Sequence, residues 1–241
     1  MTEQSTVAGT DRSRLFGLAS TLLTYPDAAL LAAGDELRAA VGEIEHDDVR
    51  TRLEAFLDWF LTTDVIEVET HYVHTFDLRR RSGLYLTYYL HGDTRKRGIA
   101  LLTLKQRYRA HGLRLAQGEL PDLLPVVLEF AAITGPGDGE APLRQHRRGV
   151  ELLRAALEEN GSPYRHLLDA VVTALPPLTE NDRDAIRALA EDGPPVESVG
   201  LAPYGTDVDS IGFGPTLGAD AATDLSAEPC AHAHPSMERA R

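Results

Sequence analysis

Apolar residues recur at the spacing of an α-helix along most of the chain, and this pattern constrains the fold more than any other feature. Leu15, Leu18 and Leu22 lie at i, i+3 and i+7, and residues 53–61 repeat the pattern. Alternating apolar and polar runs bounded by turn dipeptides, which indicate strands, do not occur. The sequence therefore predicts an all-α, single-domain helical bundle over residues 11–193, without a sheet.

Apolar periodicity, capping residues and prolines predict where the individual helices lie. Further helices are predicted at residues 27–45, 65–77, 84–90, 94–111, 122–134, 150–157 and 164–175. Ser162 before Pro163 is expected to start one helix, and Thr179 with Asp182 forms a capping box for another. Asp122 is expected to be the N-cap of the helix that contains Pro125, because the proline then falls in the first turn, where its missing N–H has no partner in the helix.

The two ends of the chain differ from this helical body. Residues 194–241 contain six prolines and five glycines in 48 residues and have no amphipathic stripe. Such a composition cannot bury enough apolar surface to offset the entropy of ordering. We therefore expect a flexible N-terminus at residues 1–10 and a disordered tail at residues 194–241.

Composition excludes several classes of protein. The net charge of −13 argues against a general nucleic-acid binder. The single cysteine, Cys230, leaves no internal disulfide and no multi-cysteine metal site. A signal peptide and a long apolar run are both missing, so we expect a cytoplasmic protein that is not an integral membrane protein.

One region reverses the acidic character of the chain. Residues 79–114 contain ten basic residues and a single acid, Asp93. Six aromatic residues fall in or near this region: Tyr72, Phe76, Tyr85, Tyr88, Tyr89 and Tyr108. The spacing of Phe76 and Tyr108 favours core positions, whereas Tyr85, Tyr88 and Tyr89 fit a core or a recognition groove equally well. The basic side chains can equally be solvated helix faces.

Three blocks of sequence in this part of the chain resemble the NarJ-type chaperones, the nitrate reductase delta subunit family, which is related to the TorD and DmsD maturation chaperones. The blocks are YVHTFDLRRR at residues 72–81, LYLTYYLHGDTRKRG at residues 84–98 and ELPDLLPVVLEF at residues 119–130. They occur in the order that the family has. One departure is Leu123, where relatives often have histidine.

The resemblance implies a function and a partner. Proteins of this kind are helical, have no cofactor of their own and are not enzymes. They bind the N-terminal segment of the catalytic (alpha) subunit of a respiratory nitrate reductase and hold it until molybdenum cofactor is inserted, with molybdenum cofactor biosynthesis proteins as further partners. We therefore expect a chaperone with no catalytic, cofactor-binding or metal-binding residues.

Recognition of such a segment would be of the helix-in-groove kind, in which an amphipathic helix lays its apolar face between helices. The candidate client-binding residues are Tyr72, Phe76, Tyr85, Tyr88, Tyr89, His91, Asp93, Arg95, Arg97, Glu119 and Asp122.

An enzymatic alternative rests on three side chains. His71, His74 and Asp77 are spaced three residues apart, so that neighbouring members could share a helix face and bind the metal of a hydrolase. The spacing i to i+6 drifts off that face, which disfavours the alternative. A third hypothesis, a subunit that stays in the finished complex, is not separated from a transient chaperone by sequence.

Overall fold

The structure is a computed structural model that describes residues 7–192 and 237–239, all within one compact unit. The α-helices of these residues are α1 (Gly9–Leu22), α2 (Ala28–Ala32), α3 (Gly34–Gly42), α4 (Asp47–Thr62), α5 (Val65–Tyr72), α6 (Leu86–His91), α7 (Arg95–Ala110), α8 (Leu124–Thr134), α9 (Ala141–Gln145), α10 (Arg147–Glu159), α11 (Arg165–Thr173) and α12 (Glu180–Asp192). A π-helical turn (Val73–Asp77) and a 3-10 turn (Arg80–Ser82) follow α5, and two short strands are β1 (Leu113–Leu115) and β2 (Met237–Arg239).

The prediction of an all-α bundle is confirmed. Helix α1 packs along α8, α4 packs along α11, and α10 contacts α6, α11 and α12. The main core contains the fully buried aromatic side chains of Phe16, Phe56, Phe60 and Tyr164. The Ser20 hydroxyl donates to the carbonyl of Pro125 at 2.8 Å and ties α1 to the first turn of α8. Proline is tolerated there because no helical N–H is lost.

Several helix boundaries differ from the predictions. The helix expected over residues 27–45 is divided at Ala33 into α2 and α3. Ser162 does not cap α11, which begins at Arg165, because the Ser162 hydroxyl contacts His71 instead. The capping box of α12 is confirmed, since the Thr179 hydroxyl accepts from the Asp182 N–H at 3.2 Å.

The expected N-cap of α8 is wrong. Leu123, not Asp122, occupies that position, and Pro125 lies in the first turn one residue earlier in the helix than predicted. The Asp122 side chain is fully buried and accepts hydrogen bonds from Thr87, at the start of α6. The Asp122 carboxylate, which was expected to cap α8, therefore accepts the hydrogen bond of an N–H at the N-terminus of α6.

A short pair of strands accompanies the helices and is not predicted from the sequence. Strands β1 and β2 form an antiparallel pair, with Leu113 opposite Arg239 and Leu115 opposite Met237. Residues 237–239 of the predicted disordered tail are thus ordered, while residues 194–236 and 240–241 lie outside the described part. At the other end, residues 1–6 also lie outside it, whereas Val7 is buried.

The described segments contain no helix that is both long enough and apolar enough to cross a membrane.

Candidate functional site

The three sequence blocks meet at one open groove of about 420 Å³. Its lining residues, here called the aromatic groove, are Phe76, Asp77, Arg79, Gly83, Tyr85, Tyr88, Asp93, Arg97 and Leu120. The first block supplies Phe76, Asp77 and Arg79, the second supplies Tyr85, Tyr88, Asp93 and Arg97, and the third supplies Leu120, while Gly83 directly precedes the second block. Residues that are distant in sequence therefore share one concave surface.

The π-helical turn positions the first block. The Leu78 N–H donates to the Val73 carbonyl at 3.1 Å, which closes the wide i to i+5 turn. Phe76 faces the core, where its ring centroid lies 4.9 Å from those of both Tyr72 and Tyr164. The next residue, Asp77, is exposed at the groove. The π-helical turn thus places the apolar ring of Phe76 and the carboxylate of Asp77 next to each other in the groove lining.

Asp77 carries a charge that the described residues do not neutralise. None of their ion pairs includes its carboxylate, although neighbouring acids such as Asp93 are paired. Desolvation at the groove raises the pKa of Asp77 above its ordinary value. A carboxylate in such a position favours a cationic ligand, because a nearby positive charge relieves this cost.

Backbone hydrogen bonds join the second block to the third. The Leu86 N–H donates to the Asp122 carbonyl at 3.0 Å, and the Leu124 N–H donates to the Leu84 carbonyl at 2.8 Å. These bonds flank an antiparallel bridge between Tyr85 and Leu123. The entry to α6 and the entry to α8 are therefore held side by side.

Buried Asp122 fixes the same junction through its side chain. Its Oδ2 atom accepts from the Thr87 N–H at 3.3 Å and from the Thr87 hydroxyl. The guanidinium of Arg97 lies 3.7 Å from the same oxygen. A carboxylate that is 0% exposed needs such partners, because an unpaired buried charge is strongly destabilising.

Arg97 links this buried carboxylate to the groove. Its second guanidinium nitrogen lies 3.1 Å from Asp93 at the rim. The guanidinium carbon lies 5.9 Å from the ring centroid of Tyr85 and 5.8 Å from that of Tyr88. Two cation–π contacts and two carboxylates thus hold one side chain that is only 20% exposed.

The structure separates the three tyrosines that the sequence left undecided. Tyr85 is 41% exposed, and Tyr88 is half-buried with its ring at the groove. Tyr89 is only 7% exposed, and its hydroxyl lies 2.8 Å from the Gly83 carbonyl oxygen, to which it donates. Burial raises the pKa of Tyr89, which leaves its hydroxyl protonated as a donor. Tyr89 therefore supports the groove and Tyr88 borders it.

The predicted client-binding residues fall into three groups. Those that line the groove are Phe76, Tyr85, Tyr88, Asp93 and Arg97. Those buried and outside the lining are Tyr72, Tyr89 and Asp122. Those outside the lining and not buried are His91, Arg95 and Glu119.

Sequence reasoning missed four lining residues as candidates for client binding: Asp77, Arg79, Gly83 and Leu120. All four lie within or directly beside the three blocks. A signal for two of them was present, because Leu120 lies inside the third block directly after Glu119 and Asp77 follows the aromatic Phe76.

The structure does not assemble the side chains of the enzymatic alternative. His71 points into the interior, where its Nε2 lies 2.8 Å from the Ser162 hydroxyl. His74 is exposed, and Asp77 faces the groove. Within the described ranges, no group of three His, Cys, Asp or Glu side chains could hold a metal ion.

The environment of His71 predicts a pH dependence of stability. Burial, followed by the positive charge of Arg79, lowers the pKa of His71 below its ordinary value of 6.5. The unfolded chain then binds a proton more readily than the folded chain, so the free energy of unfolding should fall as the pH drops below about 6.5. Burial lowers the pKa of His146 and acts in the same direction.

Urea denaturation at pH 7.5 and pH 5.5 would measure this dependence. We expect the His71→Gln variant to lose less stability between the two pH values than the wild type does. The charge of His74 makes a smaller contribution to the low pKa of His71 than burial does, so the His74→Gln variant should change the slope less than the His71→Gln variant does. An unchanged slope in the His71→Gln variant would contradict the assignment.

Comparisons of the sequence with known proteins agree on one family. The family model described as nitrate reductase delta subunit matches residues 44–169. A protein of Bacillus subtilis described as the nitrate reductase molybdenum cofactor assembly chaperone NarJ is 36% identical over 166 residues, which cover 69% of this chain and 90% of the relative. The NarJ chaperone of Escherichia coli K12 is 32% identical over 177 residues, with 72% and 75% covered.

Two further relatives define the range of the similarity. The nitrate reductase-like protein NarX of Mycobacterium tuberculosis is 42% identical over 153 residues, which cover 64% of this chain and 23% of that longer protein. Among solved structures, a redox enzyme maturation protein from Archaeoglobus fulgidus matches with a TM-score of 0.50 at 21% identity and covers 68% of this chain and 91% of its own. That likeness concerns the fold alone.

Proposed function

This chain belongs to the nitrate reductase delta subunit family, and from that premise we propose that it is a non-catalytic assembly chaperone of a respiratory molybdenum nitrate reductase. It binds the catalytic subunit in the cytoplasm and keeps it competent for insertion of the molybdenum cofactor. The helical domain of residues 11–193 performs this function, and molybdenum cofactor biosynthesis proteins meet the complex there. The relatives described as NarJ chaperones support this assignment.

The observation that carries the proposal is the convergence of the three sequence blocks on the aromatic groove. The volume of the groove, about 420 Å³, lies within the roughly 300–1,000 Å³ typical of pockets that bind small ligands. Its apolar and aromatic lining, from Phe76, Tyr85, Tyr88 and Leu120, fits the apolar face of a helix. We assign it to the N-terminal segment of the catalytic subunit.

The charges of the groove define the client segment further. Asp77 can pair with a lysine or arginine of the client, while Arg97 is already held by Asp93 and Asp122. The segment is therefore an amphipathic helix with a large apolar side chain near Tyr88 and a basic residue near Asp77. A contact with so few anchors dissociates readily, as a chaperone requires.

A calorimetric titration tests this proposal. The full chain is titrated with a peptide of about 20 residues from the N-terminus of the catalytic subunit, roughly 30 Å long when helical. We expect it to bind at least tenfold more tightly than a scrambled peptide of the same composition, because the spacing of its apolar and basic residues is lost on scrambling. Equal affinities would refute groove recognition of this segment.

The contribution of Asp77 is measured in the same titration. The Asp77→Asn variant should bind the native peptide more weakly than the wild type, and the difference should shrink as the salt concentration rises. The Glu67→Gln variant, in which an acid of α5 outside the groove lining is neutralised, controls for net charge. Equal affinities of the Asp77→Asn and Glu67→Gln variants would exclude a specific ion pair.

A further inference from the structure

The edge of β1 is covered by residues from the far end of the chain. β1 follows α7 after a turn at Gly112, whose φ of 71° is in the left-handed region that favours glycine. β2 pairs with it antiparallel, with Arg114 opposite Glu238 and Leu115 opposite Met237. Backbone pairing of this kind supplies affinity with little dependence on sequence.

Met237 supplies a specific contact beside this backbone pairing. Its side chain is 5% exposed and packs into a small apolar cluster that is separate from the main core. The other buried members of this cluster, here called the α7–α8 cluster, are Leu104, Tyr108, Leu113, Val126 and Phe130. When a peptide adds as a strand to a sheet edge, pockets that receive its side chains give the specificity, and this cluster receives Met237 in that way.

The connection to this strand is long compared with the contact that it makes. α12 ends at Asp192 and β2 begins at Met237, so residues 193–236 separate them. The entropy of closing a loop rises only slowly with its length, so a connection of this size still allows the strand to pair within its own chain. A contact of three residues with one anchor is short enough to open and close reversibly.

We propose that the edge of β1 and the α7–α8 cluster form a binding site for an extended peptide with one large apolar side chain, and that the C-terminal segment of this chain is its exchangeable occupant. When the segment leaves, the backbone groups of β1 and the apolar surface under Met237 become available together. This site is distinct from the aromatic groove, and the inference does not depend on the proposed chaperone function.

Residue-resolved hydrogen exchange on the full chain tests the inference. In the Met237→Asp variant, exchange of the Leu113 to Leu115 amides should accelerate about tenfold or more, because a charged side chain is excluded from the cluster. Exchange in α4 should stay at the wild-type rate. The Ile99→Asp variant introduces the same charge at an exposed side chain of α7 and should behave as the wild type does.

A peptide added in trans distinguishes a binding site from a fixed part of the fold. A synthetic peptide of residues 231–241, at about the millimolar concentration that a tether typically supplies, should restore protection of β1 in the Met237→Asp chain. The same peptide with Met237→Asp should not restore it.

Three results would overturn the inference. Unchanged exchange of β1 in the Met237→Asp variant would mean that the anchor does not hold the strand. Faster exchange throughout α4 would mean that β2 is an integral part of the bundle. Equal protection by the native and the substituted peptides would mean that the site does not recognise the apolar side chain.

Discussion

Replacing Tyr88 with alanine should weaken binding of the client peptide about thirtyfold, while the free energy of unfolding changes by less than about 1 kcal/mol. An aromatic anchor at the centre of a contact typically contributes about 2 kcal/mol or more, which corresponds to this change in the dissociation constant. Tyr88 is only half-buried and lines the aromatic groove, so its removal leaves no large internal cavity.

Tyr89 is the matched control for this substitution, since the two tyrosines are neighbours on α6. The Tyr89→Ala variant should lose about 3–5 kcal/mol of stability, because it removes a buried aromatic side chain and its hydrogen bond. Urea denaturation and calorimetric titration of both variants separate the two effects. If Tyr88→Ala destabilised the chain as much as Tyr89→Ala, Tyr88 would be a core residue and its assignment to the groove would be wrong.

Replacing Asp122 with alanine should cost about 3 kcal/mol of stability and should also loosen the groove. The substitution leaves the buried Thr87 N–H and hydroxyl without their acceptor and removes a carboxylate from the mostly buried Arg97. The free energy of unfolding from urea denaturation gives the size of the effect. The Asp93→Ala variant removes the other carboxylate next to Arg97. Because the Asp93 side chain is exposed, this substitution should cost less than about 1 kcal/mol of stability.

The Asp122→Asn variant refines this result. An amide oxygen can still accept from Thr87, so this variant should retain more stability than Asp122→Ala and lose mainly the charge interaction with Arg97. A cost for Asp122→Ala no larger than that for Asp93→Ala would show that the buried carboxylate does not hold the junction between α6 and α8.

Helical periodicity predicts the fold because the buried face of each helix is formed by apolar residues that are close together in the sequence. The capping box of Thr179 and Asp182 was found in the same way, since both partners lie within one turn. Asp122 was misassigned because its partner, Thr87, lies 35 residues away. A local rule assigns a carboxylate to the nearest helix N-terminus, whereas tertiary contact decides which N-terminus it reaches.

The same limit applies to Tyr88 and Tyr89. α6 has only six residues, too few to define an apolar face by periodicity. Burial of Tyr89 depends on the close approach of α10, where a Cβ at Gly149 would lie 3.5 Å from that of Tyr89 and 3.0 Å from the Leu86 carbonyl oxygen. β2 was missed for a related reason, because a strand of three residues carries no pattern before its partner is known.

The π-helical turn between α5 and the groove has a consequence for how variants of this chain can be compared. A π turn amounts to one residue inserted into an α-helix, and each helical residue advances the direction of the side chain by about 100°. Deleting one residue from Val73–Asp77 would therefore restore regular winding and rotate Phe76 and Asp77 relative to α5 by about that angle. A homologue one residue shorter here would present different side chains to the groove from an otherwise identical sequence. In this segment, the insertion or deletion of one residue would therefore change the specificity of the groove as much as a substitution would.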